Sequence, residues 1–357
     1  MRALILATLA LAWAPLAAAA AVLPATPATV ATVLPAAHCG DVVQLAPGDY
    51  PALKLPPLAC ASAPLLIDAS ASAKDPATGA VTTVRVTAPM YWRGVQGLTL
   101  KGGTWSGIRF DNFAQVTVDS VANLGPPEAN GTGLAFNWGQ GAYVRNSNFG
   151  SWKAGLVFFK VDGFKAEGVG FSRNRSDGID IAQSWRGLVD GAFIGGTEIL
   201  STEHPDCVQL WSRPDAPPTS DITIRNVRCQ GVNEGVNGTN HTRIEPAGYR
   251  LANGTVLAVA TPIDDGGFDR IVIEGNDIVS AFPSAAALNG GRASIIRNNH
   301  VATYPRAPYP AHVVPGPGVT TCGNVTVAYA NTKAVTEAPC SAAPVPANPP
   351  PPPAPAP

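Results

Sequence analysis

The chain is poor in charge of either sign. Lys and Arg number 24 and Asp and Glu number 25, so charged residues make up 14% of 357 residues and the net charge is −1. A nucleic-acid-binding face or a polybasic membrane patch needs clustered cations, and the sequence has no such cluster. We therefore expect no nucleic-acid partner, and an anionic ligand would have to be held by a few placed cations or by a bound metal ion.

Long apolar segments are also missing, except at the start. Met1-Arg2 is followed by an apolar run from Ala3 to about Leu16 and then by five alanines. A basic start, a short hydrophobic stretch and small residues predict a secretory signal peptide over residues 1–20. The run is short for a membrane helix and no basic stop follows it. We expect an exported protein, secreted or periplasmic, without a membrane span and monomeric.

Closely spaced cysteine pairs of the CxxC type are absent, which argues against a zinc site. The six cysteines are Cys39, Cys60, Cys207, Cys229, Cys322 and Cys340. An even number in an exported chain predicts disulfides. The first and the last pair would each close a loop of about 20 residues near one end, contributing roughly 3 kcal/mol each. The middle two either pair or stay as buried thiols, and the sequence does not choose.

Helical periodicity is almost absent, and short apolar alternations recur in one register instead. Their apolar positions are 108/110, 134/136, 156/158, 179/181 and 208/210, with 236/238 as a sixth copy. The step from one copy to the next is therefore about two dozen residues, within the range of known structural repeats. A second ladder with the same spacing ends in asparagine in Tyr143–Asn146, Ile222–Asn226, Ile271–Asn276 and Ile295–Asn298.

A repeat of this length predicts stacked coils that bury their apolar faces only against one another. Glycine before the first strand supplies a tight corner, and asparagine after the second tolerates left-handed turns and can hydrogen-bond to its copies in neighbouring coils. A propeller would need a longer repeat with a recurrent blade signature, and a sandwich would show no register between distant strands. The repeat therefore favours an all-β, parallel β-helix.

The first coil carries a more specific pattern. Residues 39–50 read Cys-Gly-Asp-Val-Val-Gln-Leu-Ala-Pro-Gly-Asp-Tyr, and this resembles the opening turn of pectin-lyase-like β-helix proteins. The resemblance covers most of residues 38–310 and implies a single-stranded, right-handed parallel β-helix, here with disulfide-pinned ends. This fold hosts lyases, hydrolases, epimerases, esterases and non-catalytic tailspike or adhesin domains, so it does not imply one reaction.

The predicted organisation has four parts. A signal peptide at 1–20 precedes a linker at 21–37, and the β-helix domain covers 38–341. Residues 342–357 are rich in proline and cannot form a core, so they are expected to be a disordered, extended tail.

Acidic residues occur at one position of successive coils. The residue just before each corner is Ser106, Thr132, Ala154, Asp177, Asp206 and Glu234 in turn. Because coils are about 4.8 Å apart, the last three predict a column of carboxylates with the outward-facing Asp180 beside it. Stacked like charges raise a pKa unless a cation lies between them. Asp177, Asp206 and Glu234 thus predict a Ca²⁺ site or an acid/base pair, while the alternative is that each is an ordinary turn residue.

His204 lies on an insertion that makes its repeat longer than the others. A neutral imidazole there can exchange a proton near neutral pH, and the alternative is a solvated loop histidine. Together with Asp177, Asp180 and Asp206 it completes the catalytic hypothesis.

Two stretches resemble the polygalacturonase family. Residues 174–181 resemble its Asn-Thr-Asp-Gly strand, and residues 205–208 are similar to its Asp-Asp-Cys-Val. The resemblance implies acidic catalytic roles for Asp177 and Asp206. The chain departs from the pattern at Pro205, at Glu234 where the family has histidine, and at 243–245. Residues 204–211 also resemble a His-Pro-Asp-x-Ile-Gln-Phe-Trp signature of bacterial β-helix repeat proteins.

Candidate substrate-binding residues follow from the same register; they are Gln209, Trp211, Lys160, Arg175, Asn233 and Asn237. Tryptophan stacks on pyranose rings, and Trp211 shares an outward column with Asn137. Lys160, like Trp138 and Gln183, lies one residue further on. Lys160 and Arg175 could neutralise a uronate carboxylate, and the alternative for both is a solvated surface charge.

Three functions remain open, and the sequence favours the first because a column of carboxylates suits Ca²⁺. It is a polyuronate lyase or a related C5-epimerase, in which Ca²⁺ or Lys160 and Arg175 neutralise the sugar carboxylate and His204 or a basic side chain takes the C5 proton. The second is an inverting glycoside hydrolase, in which Asp177 and Glu234, two coils apart, are the acid and the base. The third is a non-catalytic coil that binds polysaccharides or surfaces.

Overall fold

The computed structural model describes residues 20–126, 130–197, 205–213, 217–240, 249–250, 256–257, 267–329 and 332–341. The chain is a right-handed parallel β-helix, as predicted, and its strands form three parallel ladders that we call faces 1, 2 and 3. Successive coils stack strand on strand, so the core is a continuous column of apolar side chains between the faces.

Face 1 carries the register found in the sequence. Its strands are Met90–Arg93, Ile108–Asp111, the first parts of Thr132–Arg145 and Ala154–Glu167, Ile179–Ala182, Val208–Ser212, Val236–Asn240, Ser284–Leu288 and His312–Pro315.

Face 2 is the longest ladder. Its strands are Val22–Ala25, Val42–Leu45, Leu58–Ala59, Leu65–Asp68, Val95–Lys101, Ala114–Asp119, the second parts of Thr132–Arg145 and Ala154–Glu167, Trp185–Asp190, Thr219–Arg225, Phe268–Glu274, Ser294–Arg297 and Val319–Cys322.

Face 3 consists of short strands. They are Gly48–Tyr50, Val81–Val86, Thr104–Trp105, Ala122–Leu124, Asn148–Gly150, Gly170–Ser172, Phe193–Gly195, Arg228–Gln230, Asp277–Ser280, His300–Thr303 and Val325–Val327. Antiparallel additions are Ser72–Lys74 on Val81–Val86, Val335–Thr336 on Val325–Val327, and the pair Tyr249–Arg250 and Val256–Leu257. The described helix is Val30–Ala36.

The predicted register of face 1 is confirmed. Ile108 pairs with Leu134, and each residue of the ladder pairs with the next one, through Leu156, Ile179, Val208 and Val236. These side chains are buried, and the aromatic residues two positions on stack in the core. The rings of Phe110, Phe136 and Phe158 lie 5.2 and 5.7 Å apart and nearly parallel. The residues between them therefore face solvent, as alternation requires.

Asparagines hydrogen-bond from coil to coil at the corner after face 2. The buried Asn276 donates from Nδ2 to Oδ1 of Asn299 at 2.9 Å, and Asn299 donates in the same way to Asn324 at 3.0 Å. Glu337 ends the ladder by accepting from Nδ2 of Asn324 at 2.7 Å. Of the predicted asparagines, Asn276 belongs to this ladder. Asn298 does not; it has a left-handed backbone with φ of 53°, and the next residue, Asn299, occupies the position in the ladder.

A second column of side chains runs along the outside of face 2. We call it the charge ladder; its members are Asp68, Lys101, Asp119, Arg145, Glu167, Asp190, Arg225, Glu274 and Arg297. Opposite charges alternate along it except between Glu167 and Asp190. Ion pairs join Arg145 to Asp119 at 2.9 Å and Arg225 to Asp190 at 2.8 Å.

The expected linker at 21–37 is instead part of the fold. Val22–Ala25 pairs with Val42–Leu45, and the helix Val30–Ala36 buries two of its side chains against the core. Asp41 fixes this segment by accepting the backbone N–H groups of Ala21 and His38 at 2.9 and 2.8 Å. The reason is that the first coil would otherwise expose an open strand edge and the end of the core.

All six cysteines form disulfides. Cys39–Cys60 and Cys322–Cys340 lie near the two ends, as predicted. Cys207 and Cys229, left open by the sequence, also pair. The described part of the chain contains no helix with the length and hydropathy that a bilayer crossing requires. The predicted tail and all but Ala20 of the predicted signal peptide lie outside the described residues.

Candidate functional site

The predicted acids meet at the corner between face 3 and face 1. Asp177, Asp206 and Glu234 occupy the same position on three successive coils, and backbone hydrogen bonds hold these coils together. The N–H of Gly178 donates to the carbonyl of Asp206 at 3.0 Å, and the N–H of Glu234 donates to that of Pro205 at 2.8 Å. With Asp180 these residues form what we call the acid cluster.

Asp177 is buried and accepts two local donors. Its Oδ1 accepts the backbone N–H of Asp206 at 2.8 Å, and its Oδ2 accepts the hydroxyl of Ser176 at 3.0 Å. The carboxylate of one coil is thus tied to the backbone of the next.

Asp206 lies at the centre of the acid cluster and is only 1% exposed. Burial, then the negative charges of Asp177 and Glu234, raise the pKa of Asp206 well above its usual range. Gln209 opposes this shift by donating from Nε2 to Oδ2 at 2.9 Å. The carboxyl group therefore keeps its proton at pH values where an ordinary aspartate has lost it.

Asp180 is the half-buried member that faces outward from the first strand of its coil. Burial, the charge of Asp177 and a hydrogen bond with Asp177 raise the pKa of Asp180 well above its usual range, while the charge of Lys153 opposes the shift. Two carboxyl groups can share a hydrogen bond only when one is protonated. The Oδ1 atom of Asp180 is enclosed and makes no hydrogen bond within the described part of the chain.

Glu234 is also half-buried and accepts a hydrogen bond from Nδ2 of Asn237. The side chains of Gln209 and Asn237 thus face the acids, three residues on from Asp206 and Glu234. Their amides point at carboxylates of their own coils, so we describe them as groups that orient the acid cluster. Their direct contact with a substrate remains a prediction.

The predicted calcium site does not fit this arrangement. Among the residues with described positions, no three His, Cys, Asp or Glu side chains form a group that could hold a metal ion. The carboxylate oxygens instead accept N–H donors from Asp206, Gln209 and Asn237. Because Ca²⁺ takes six to eight converging oxygens, we derive no step through a metal.

Aromatic rings extend along face 1 beside the acid cluster. Trp138, Phe159 and Trp211 form what we call the aromatic platform, with centroid distances of 5.5 Å between the first two and 6.0 Å between the last two. Trp138 is 45% exposed. Phe159 pairs with Asn137 and Ala182 in the outward column that we assigned to Trp211, and sequence reasoning missed it although the register places it there.

Two cations lie over the aromatic platform. Lys160, with a left-handed backbone at φ of 55°, places Nζ 5.3 Å from the ring centre of Phe159. The guanidinium of Arg213 lies 4.6 Å from the ring centre of Trp211. Lys160 was predicted and Arg213 was not, because Arg213 follows the strand where alternation no longer fixes direction. The platform therefore combines apolar faces with positive charge.

Three predicted residues lie elsewhere or make other contacts. Asn233 is completely buried, so the prediction that it binds substrate is wrong: it lies in the corner before the strand Val236–Asn240, where alternation does not apply, and its Nδ2 donates to Oγ1 of Thr197 at 3.5 Å. Gln183 is also completely buried. Arg175 donates to Oδ1 of Asn130 at 2.9 Å. His204 and residues 243–245 lie outside the described residues.

A second polar network lies on the preceding coils of face 1. Asp111, buried at 4% exposure, accepts hydrogen bonds from Arg109, Tyr91 and Asn137. Burial alone would raise the pKa of Asp111, but the hydrogen bonds from Arg109 and Tyr91 bring it below its usual range. Asn137 thus lies in the predicted column but is engaged by Asp111.

No protein-family model matches the chain, and no curated protein matches it. Solved structures match the fold. An alginate lyase from Paenibacillus sp. str. FPU-7 aligns over 84% of this chain and 99% of that one with 16% identity and a TM-score of 0.52. The Dettilon tailspike protein aligns over 80% of this chain and 55% of that one with 13% identity and the same TM-score of 0.52. The chain therefore has the right-handed parallel β-helix fold that these proteins share.

Proposed function

We propose that the chain is an enzyme that cleaves a polysaccharide and that hydrolysis by the acid cluster is the reaction its geometry supports best. The observation that carries this proposal is that two acids on successive coils, Asp180 and Asp206, lie together in the acid cluster and have pKa values raised by burial and by neighbouring carboxylates. Glycoside hydrolysis needs one carboxylic acid that is protonated and one carboxylate that is ionised. The acid cluster supplies both kinds of group.

The two half-buried acids are the ones that can reach a substrate. In this proposal Asp180 protonates the glycosidic oxygen, and Glu234 activates a water molecule on the opposite side. Both side chains are half-buried, and each has a neighbour in the acid cluster or its orienting amides: Asp177 for Asp180, and Asn237 for Glu234. They belong to coils two steps apart, roughly 9 to 10 Å at about 4.8 Å per coil, and Asp180 also lies three positions further along its strand than Glu234. Glu234 accepts from Asn237, which is in the column of Asp180, so the two carboxyl groups must lean toward each other to reach the range of about 6.5 to 9.5 Å for inversion.

The buried acids hold this pair in place. Asp177 accepts the proton-sharing hydrogen bond that keeps Asp180 protonated, and the protonated Asp206 separates the charges of Asp177 and Glu234. The proposal keeps Asp177, Asp180 and Asp206 from the predicted catalytic set and Glu234 from the predicted hydrolase pair, and in it Asp180 replaces Asp177 as the acid. His204 remains a predicted proton-transfer group on the adjoining insertion.

The aromatic platform supplies the binding surface. The faces of Trp138, Phe159 and Trp211 suit pyranose rings, and Lys160 and Arg213 suit carboxylate groups on a sugar. In this proposal a single acidic polysaccharide chain lies along face 1 and contacts both the aromatic platform and the acid cluster.

A second candidate is elimination, by a lyase or a C5-epimerase. It is favoured by Lys153, whose charge acts on Asp180, because such a reaction needs a positive group near the sugar carboxylate and a base near C5. The neighbour from Paenibacillus is an alginate lyase, so this fold can carry elimination.

The discriminating experiment is product analysis on a panel of acidic and neutral polysaccharides, with and without chelator. Hydrolysis gives new reducing ends without near-ultraviolet absorbance, whereas elimination gives an unsaturated product that absorbs. Reducing ends without absorbance would support our proposal, and absorbance would replace it by the second candidate. Binding without any product would leave a non-catalytic coil.

Export is part of the same proposal. Three disulfides are stable in an oxidising compartment, and the basic and apolar start of the chain predicts its signal peptide. A secreted or periplasmic monomer would meet polysaccharides directly. Mass spectrometry of protein purified from the exporting cell would give its first residue and hence the cleavage point.

A further inference from the structure

The corner glycine of face 1 is replaced in one coil. The residue after the corner position is Gly107, Gly133, Gly155, Gly178, Cys207 and Gly235 in successive coils. The coil with cysteine is the one that carries Asp206, the centre of the acid cluster. It also follows the longest connection from a face 3 strand to a face 1 strand among the described elements, which runs from Gly195 to Val208.

In the neighbouring coils a large apolar side chain of face 3 packs over the glycine. A Cβ added at Gly178 would lie 2.9 Å from Cγ1 of Ile194, and one added at Gly235 would lie 2.7 Å from Cγ2 of Ile278. Ile194 and Ile278 pair with Cys229 on either side in the face 3 ladder. The Cys207–Cys229 disulfide thus stands where its neighbours have a glycine and an isoleucine.

We propose that the Cys207–Cys229 disulfide is a positioning element that holds the Asp206 corner in register between the other acids. The need for it follows from the site. Stacked carboxylates repel each other, and closing the long connection that precedes the central one costs more conformational entropy than closing a short one. A covalent link from the next residue to Cys229, the buried residue of the strand Arg228–Gln230, restrains this corner where packing alone restrains the others.

Two contacts would report a shift of this corner. The N–H of Asp206 donates to Asp177, and the carbonyl of Asp206 accepts from the N–H of Gly178. If the corner moves, both are lost, and with them the spacing between Asp180 and Glu234. This inference rests on the proposed function for its kinetic consequence, but the two hydrogen bonds can be measured without a substrate.

The chain offers a conservative variant and a matched control. Cys207→Gly with Cys229→Ile copies the packing of the neighbouring coils without the covalent link. Cys39→Ala with Cys60→Ala removes a disulfide of nearly the same sequence separation, 21 residues against 22, far from the acid cluster. Because chain entropy depends on loop length, both double variants should lose similar thermal stability.

The experiment measures both variants in the full chain, well below their unfolding temperatures. With the polysaccharide that wild type cleaves, we expect Cys207→Gly/Cys229→Ile to lose at least tenfold in kcat with KM within twofold, and the control to keep both. Hydrogen exchange followed by mass spectrometry should show faster exchange over residues 205–211 and 176–180 in the first variant only.

The outcomes separate the two proposals. Full kcat and unchanged exchange in Cys207→Gly/Cys229→Ile would overturn the positioning role, as would equal kcat losses in both double variants. If wild type cleaves no polysaccharide, the proposed function fails, and hydrogen exchange alone decides whether the disulfide holds the corner. Should the conservative variant not fold, Cys207→Ala with Cys229→Ala takes its place in both measurements, with the same expected and contradicting results, and it makes the same chemical change as the control.

Discussion

The acid cluster on face 1 and the charge ladder on face 2 stack ionisable side chains with the same coil spacing, yet in opposite ways. In the charge ladder an acid meets a cation from the next coil, as Glu274 meets Arg297 at 2.5 Å. In the acid cluster Asp177, Asp206 and Glu234 occupy successive coils, so the carboxyl group of Asp206 lies between two negative charges that disfavour its ionised form. One fold therefore builds both a stabilising column and a strained one from the same repeat.

The pKa values express this difference. On face 2, burial alone would raise the pKa of Asp119, but hydrogen bonds from Ser120 and Arg145 bring it below its usual range. On face 1, burial and neighbouring acids raise the pKa of Asp206. A fold gains nothing from the second arrangement, so it indicates a use for the protons it retains. The comparison is the physical basis of the proposed function.

The largest expected effect is the loss of turnover in Asp180→Asn. Because this change removes the proton donor but keeps the shape, we expect kcat to fall by about 10³-fold, within the range of general acid catalysis. Thermal unfolding should show an unchanged or higher Tm, since a strained carboxyl group is removed. The measurement is the rate of reducing-end formation.

The matched control for Asp180→Asn is Asp190→Asn on the charge ladder. It makes the same chemical change but leaves Arg225 without its carboxylate, so stability should fall while kcat stays at the wild-type value. Equal loss of activity in both variants would contradict the assignment of function to face 1.

The second largest effect that we expect is a loss of stability in the variant Arg297→Met. Arg297 is 11% exposed by side chain and pairs with Glu274, so removing it leaves a partly buried carboxylate without its cation. We expect a loss of about 2 kcal/mol in the free energy of unfolding, between the values for surface and buried ion pairs. Urea unfolding measures this loss. A change below about 0.5 kcal/mol would mean that the charge ladder contributes no more than isolated surface pairs.

The two columns should also differ in the sign of their pH dependence. The unfolded chain loses the Asp206 proton near pH 3.8, whereas the folded chain keeps it to a higher pH. The contribution of this group to the free energy of unfolding is therefore fully present below pH 3.8. It is lost as pH rises through the raised pKa of the folded chain. The slope reaches at most about 1.4 kcal/mol per pH unit for one proton. Asp206→Asn should therefore flatten the fall in Tm above pH 4.

Asp269 provides the opposite case on face 2. Burial alone would raise its pKa, but Arg292 and Arg270 bring it below 3.8, so its stabilisation is present above that pH and is lost as pH falls through the lowered pKa. Asp269→Asn should flatten the acid side of the Tm profile and leave the other side unchanged. Asp269 lies on face 2 beside the charge ladder, so the same sign of change in both variants would refute the contrast between the acids of face 1 and those of face 2.

The fold could be predicted from the sequence because a period-two pattern repeated every two dozen residues or so fixes which side chains stack. The same logic predicted the positions of Asp177, Asp206 and Glu234, but it could not predict the burial of Asn233, which lies in the corner before the strand Val236–Asn240. The terminal segment was missed because Val22–Ala25 has no earlier copy to align with, and the helix Val30–Ala36 is too short to show a helical period.

Parts of the candidate site could not be predicted for a different reason. Arg213 and Lys153 lie where no strand register applies, so the sequence does not fix where their side chains point. The calcium hypothesis finds no support for a related reason: the repeat places the acids in one column, but the amides of Gln209 and Asn237 decide where their oxygens point. The register predicts which residues lie close together, whereas the direction of each side chain decides which groups can react or bind.

The smallest expected effect tests the one place where the charge ladder resembles the acid cluster. Glu167 and Asp190 are adjacent acids on successive coils, but Arg145 precedes the first and Arg225 pairs with the second. Attraction and repulsion on Glu167 should nearly cancel, so Glu167→Gln should change the free energy of unfolding by less than about 0.5 kcal/mol. Urea unfolding at pH 7 measures it. A gain above about 1 kcal/mol would show that two stacked acids are costly even between cations, and the raised pKa values on face 1 would then need no functional explanation.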